Sequence, residues 1–244
     1  MKNVTPSLLK QSSLVLLAWG VVLFGAILFS AFLHEVGHGV GARLDGVHIS
    51  TGFNKVGNPN RVPGDPDFRT GMTENFWAGL LGPITTWILA VLFTMLLYRL
   101  KKPTAAAMIF NSLAVVNGLV RAVPMLMLSS SALGGVLHVE DEVSWGIWYV
   151  RSVRPELART DLFTLAESQS GLLLQQPAVW ISPLASFAVS AACLFLAYRW
   201  AFRLWHGVLK RGIERWVFGL MPLPIWFASI PVLDVLDRVI RINW

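Results

Sequence analysis

The chain has 244 residues, of which 55 % are hydrophobic and only 14 % charged, and its mean hydropathy is +0.58. Such a composition excludes an ordinary soluble globular domain and points to a polytopic membrane protein. The net charge of +6 would suit nucleic acid, but the basic residues gather at the ends of apolar runs, as at Arg99, Lys101 and Lys102. Lipid headgroups are therefore the expected partner, and nucleic acid is not.

Five spans are expected by length and hydropathy, making an all-α polytopic helix bundle. The first covers Ser13 to Ala42. Its apolar stretch Leu14–Phe32 is longer than the core of a signal peptide, and cleavage near Ala31 would cut just ahead of the next motif, so a resident span is expected. That motif is His34-Glu35-Val36-Gly37-His38, an H-E-x-x-H. On a helix, positions i and i+4 share a face, so both imidazoles reach one metal ion. Glu35 follows the first ligand, where its carboxylate is placed to take a proton from a water that zinc acidifies. Arg43 marks the interface, with His38 about 7 Å and His34 about 13 Å below it along the helix. A third histidine in the longer H-E-x-x-H-x-x-G-x-x-H pattern is missing, because residue 44 is leucine. Asp45 lies about 10 Å beyond His38 on the same axis, too far to share its metal.

Residues 46–75 are rich in Gly, Pro, Asn and Asp, so turns are expected. A short strand fits within Val47–Phe53, and His48 reads as an exposed loop residue. The second span is Phe76–Tyr98, with Gly79, Gly82 and Pro83 suited to close helix contact or a local break. The third is Thr104–Leu128. It carries Asn111, Asn117, Arg121 and Pro124, and Asn117 and Arg121 share a face that should point into the bundle or a wet cavity.

The connection 129–176 holds the acidic cluster Glu140-Asp141-Glu142, an interfacial stretch around Trp145 and Trp148, and a predicted amphipathic helix over Pro155–Gln175. The fourth span is Ala178–Trp200. The fifth, Trp216–Leu236, should be kinked by Pro222, Pro224 and Pro231. Cys193, the single cysteine, lies in an apolar run and excludes an intrachain disulfide. Without repeats or a second soluble unit, residues 1–244 read as one integral-membrane domain, with a core over 14–142 and C-terminal helices over 143–244. The short, basic loops favour an N-inside orientation.

A catalytic zinc needs three protein ligands and an open position. Asp141, Glu140 and Asp234 are the candidates for the third. Here HEVGHGVGA, then AGLLGPITTW, then NGLVRAVPML resembles the site-2-protease-like intramembrane metalloproteases over roughly residues 14–142. The resemblance implies an intramembrane zinc endopeptidase with Zn²⁺ held by His34, His38 and Asp141, and with Glu35 as general base. It also implies Asn117 as a contact to substrate backbone and Arg121 as an oxyanion donor. The substrate would be a membrane-spanning or membrane-adjacent segment. The chain departs from the family at Thr86, where an asparagine is usual, and lacks the compact Asn-x-x-Pro…Leu-Asp-Gly run. The alternative is a non-catalytic membrane scaffold or structural-zinc protein built on such a fold.

Overall fold

The computed structural model describes residues 6–61, 63, 65, 76–157, 160 and 162–244. It is an all-α helix bundle with one very small sheet. Helix α1 runs Pro6–Leu44, α2 Phe76–Tyr98, α3 Ala105–Leu133, α4 Asp141–Val153, α5 Leu162–Ser168, α6 Ser170–Leu174, α7 Pro177–Trp205, α8 Gly212–Leu220 and α9 Pro222–Val239. Helices α1, α2, α3 and α7, and the α8–α9 pair, give five segments long and apolar enough to cross a membrane.

Each span begins and ends for local reasons. Helix α1 closes where Gly46 takes φ +69°, with Val47 N–H bonded to Ala42 O and Gly46 N–H to Arg43 O. This paired closure needs a left-handed residue, which glycine adopts without steric cost. Asp45 then accepts from Ala78 N–H at 2.9 Å, satisfying an otherwise orphaned donor in the first turn of α2. The residue set aside as a metal ligand thus caps the next span. Helix α3 starts at Thr104, whose hydroxyl accepts from Ala107 N–H. The fifth span breaks at Met221, directly before Pro222, as its prolines predict.

Helix α3 occupies the middle of the bundle, packed by α1, α2 and α7. Within its most apolar stretch 72 % of residues are buried, against 22–33 % for the other four spans. Its polar load follows from that position. Asn111, Asn117 and Arg121 are buried in protein and do not face lipid. Helix α1 lies close against α2 because Gly37 and Gly41, one turn apart, present no Cβ to the α2 backbone. A methyl on Gly37 would sit 2.6 Å from Leu81 O, and one on Gly41 would run into Trp77 O.

One expectation is narrowed and another is revised. The strand within Val47–Phe53 is β1, Ser50–Thr51, only two residues long. It is the middle of a sheet ordered β2-β1-β3, pairing antiparallel with β2 (Val56–Gly57) and with β3 (Ile242–Asn243). His48 is an exposed loop residue, as expected, and its ring donates to Trp244 O at 3.1 Å. The predicted single helix over Pro155–Gln175 is three pieces: a 3-10 turn at Pro155–Leu157, then α5 and α6. Gln169 leaves helical geometry between the last two, followed by the weak helix formers Ser170 and Gly171. Burial explains the fragmentation. Leu165 and Leu173 pack into a core with Val143, Ile147 and Val150 of α4, so contact with α4 decides the chain path here rather than one continuous apolar stripe.

Candidate metal centre

The site is assembled from four helices. His34 and His38 project one turn apart from α1, which continues unbroken through the motif. Asp141 is the first residue of α4, reached after α3 ends and Gly135 turns the chain with φ +78°. His34 Nε2 lies 3.1 Å from Asp141 Oδ2 and 3.1 Å from His38 Nε2. His38 Nε2 lies 3.5 Å from Asp141 Oδ2. Ligands about 2.0–2.1 Å from a tetrahedral zinc are separated by about 3.3 Å, so these three atoms stand at the spacing of one coordination shell.

Hydrogen bonding on the far sides of the rings fixes which nitrogens face inward. His38 Nδ1 donates to Ala78 O at 2.5 Å; a carbonyl only accepts, so the proton is on Nδ1 and the Nε2 lone pair points to the site. His34 Nδ1 lies 3.0 Å from Thr86 Oγ1. That hydroxyl donates to Gly82 O and so accepts from His34. Two imidazole lone pairs and a carboxylate oxygen then converge with no hydrogen between them, a donor set that a bound cation would stabilise. Outer partners of this type orient metal-binding histidines. Gly82 makes room for the arrangement, because a Cβ there would collide with the His38 ring.

A buried ionic network supports Asp141. Arg121 Nη1 donates to Asp141 Oδ2 at 3.1 Å and to Glu142 Oε1 at 3.2 Å. Glu142 also accepts from Ser186 Oγ at 2.8 Å, which accepts from Trp87 Nε1 at 3.0 Å. Helices α2, α7, α4 and α3 are thereby tied in sequence to Asp141. Glu140, at the rim, is pushed up to about 7 by desolvation and by the adjacent Asp141 charge.

These groups line one cavity of ≈ 510 Å³. Glu35 is on its wall, buried, and its Oε2 has no hydrogen-bond partner. An unpaired carboxylate oxygen in such a place is costly unless a proton donor reaches it. The apolar part of the lining includes Ile27 from α1, Val120 from α3, and Trp226 and Ile230 from α9.

The structure brings His34, His38 and Asp141 together as a possible metal-binding group. Glu140 stands at the cavity rim and is not in that group. Asp234 forms an ion pair with Lys55 at 2.7 Å. Asn117 is fully buried and does not line the cavity; its Nδ2 donates to Ser30 Oγ and Leu113 O. Arg121 does face the cavity, but as a partner of two carboxylates. Sequence reasoning missed Thr86, Glu142 and the Ala78 carbonyl. Only Thr86 gave a signal, as a departure from the family pattern.

Comparison with protein-family models, with curated proteins and with solved structures finds no match for this chain.

Proposed function

We propose that the protein is a multi-pass membrane zinc endopeptidase of the site-2-protease-like kind, acting on membrane-spanning or membrane-adjacent polypeptide segments. The observation that carries this reading is the convergence of His34 Nε2, His38 Nε2 and Asp141 Oδ2 in one cavity with Glu35, whose Oε2 has no hydrogen-bond partner. A three-residue ligand set leaves a coordination position for chemistry, whereas structural zinc sites are closed by four protein ligands.

When bound, zinc supplies Lewis acidity, acidifying water and polarising a carbonyl. The chain's own groups do the rest. Glu35 accepts a proton from the attacking water at its free oxygen and later delivers it to the leaving amine nitrogen. Ala78 O and Thr86 Oγ1 hold both imidazoles in the Nδ1–H tautomer and in register. Arg121 holds Asp141, which replaces the oxyanion role implied by the resemblance. Asn117 acts in helix packing. The apolar lining accepts apolar substrate side chains, and the substrate backbone must be extended, because helical peptide bonds are shielded.

The test is Glu35→Gln. Purified wild-type protein, loaded with zinc, is expected to cleave a membrane-spanning reporter, and the variant to lose cleavage by at least about 10³-fold while keeping its zinc. Cleavage retained in the variant refutes the mechanism. An inert wild type with one tightly held zinc per chain supports the structural-zinc alternative.

A further inference from the structure

The end of the bundle where α2 and α7 finish has an unusual charge. The segments 99–104 and 199–215 carry Arg99, Lys101, Lys102, Arg199, Arg203, Lys210, Arg211 and Arg215, with Glu214 as their sole acid. The two segments meet: Trp200 Nε1 donates to Leu100 O at 3.0 Å, and Tyr98 stacks on Trp200 at 4.5 Å. Glu214 is buried and already paired with Arg211 at 2.7 Å. The face is therefore basic throughout.

A groove of ≈ 580 Å³ opens at this face between α7 and α8. Tyr198, Phe202 and His206 are spaced four apart and run along one line of α7 for about 12 Å. Arg215, Trp216 and Leu220 of the α8 segment form the other side. The groove is graded. His206 and Arg215 stand at its polar mouth, and Arg215 is anchored there through Nε to Leu209 O at 2.9 Å. Deeper in, Tyr198 spends its hydroxyl on Gly219 O at 2.8 Å, so the remaining lining is aromatic and aliphatic.

We infer that this groove binds one anionic phospholipid. Its phosphate lies at the mouth against Arg215 and His206, and an acyl chain runs along Phe202, Trp216 and Leu220. A cationic mouth above an apolar trough matches that molecule's own polarity. A zwitterionic lipid leaves the surrounding positive charge unmatched, and a bare anion makes no use of the aromatic lining. The inference rests on the membrane reading and is independent of the metal site.

The test is native mass spectrometry of the full-length protein in detergent, titrated with phosphatidylglycerol or phosphatidylcholine of identical acyl chains. One phosphatidylglycerol adduct is expected at least tenfold tighter than phosphatidylcholine. Arg215→Gln should weaken it about fivefold, the loss of one basic contact. Trp216→Ala, at a side chain 69 % exposed and so safe for folding, should weaken binding of both lipids without altering charge. Zinc content should be unchanged in both variants, separating this result from the fate of the protease reading. Equal retention of the two lipids, or wild-type retention in both variants, overturns the inference. Complete displacement by inorganic phosphate overturns it in favour of a simple anion site.

Discussion

Single residues set the geometry of the candidate metal site more through what surrounds His34, His38 and Asp141 than through those three themselves. Thr86 is the acceptor that keeps His34 in one tautomer, so Thr86→Val should lower zinc affinity about 10- to 100-fold, read by competition with a chromogenic chelator. Gly82→Ala should cost more, because the added methyl falls on the His38 ring. Glu142→Gln tests a charge argument. Arg121 is shared between Glu142 and Asp141. With Glu142 neutral, the guanidinium binds Asp141 more strongly and competes for its oxygen, so zinc affinity should again fall. A variant with unchanged affinity would show that Glu142 serves packing alone.

Among elements, α9 and the β1–β2 hairpin form one unit. Asp237, wholly buried, accepts from Phe53 N–H at 2.7 Å and Asn54 N–H at 3.1 Å. Arg241 donates to Ser50 Oγ and Ser50 O, and Lys55 pairs with Asp234. Removing the Asp237 carboxylate strands two amides and unbalances Arg241. Asp237→Ala should therefore cost about 3 kcal/mol, with hydrogen exchange at residues 53 and 54 rising before exchange in α3 does. This unit also shows where sequence reading stops. Asp234 looked like a metal ligand because Pro231 and Leu233 precede it, yet its partner is a lysine 179 residues away. No local pattern signals that pairing, nor that of Ser50 with Asn243. The fragmentation of Pro155–Gln175 is a similar case, since it follows from contact with α4.

At the scale of the whole molecule, the spans were legible because the hydropathy of about twenty residues is a property of the chain alone. The second span runs Phe76–Tyr98 in the structure, as expected. The third continues to Leu133 and the fourth to Trp205, because helices extend past their apolar stretch until a turn or cap stops them. The H-E-x-x-H residues were legible for the same reason, since one helix places both histidines. The preference for Asp141 over its acidic neighbours came from the resemblance and not from a local pattern. The placement of Asp141 depends on the turn at Gly135 and on Arg121, which lie outside any short motif. The charge distribution now sharpens the orientation. Segments 99–104 and 199–215, at the opposite end, hold eight basic residues in or beside short connections. That face should be cytoplasmic. Because Cys193 is buried, Lys102→Cys and Asn60→Cys can be labelled with little background, and an impermeant maleimide applied outside should react with position 60 and spare position 102.

His34 and Asp141 are 107 positions apart in the chain, so an ion held between them acts as a crosslink between the first span and the start of α4. Mass action then couples loading to folding. At a free ion concentration a thousandfold above its dissociation constant, the native state gains about 4 kcal/mol. Chelation should lower the melting temperature in detergent and expose the Gly134–Val139 connection to proteolytic nicking. In a cell short of zinc, the newly made chain would lack that reinforcement, and its abundance as well as its activity would follow metal supply.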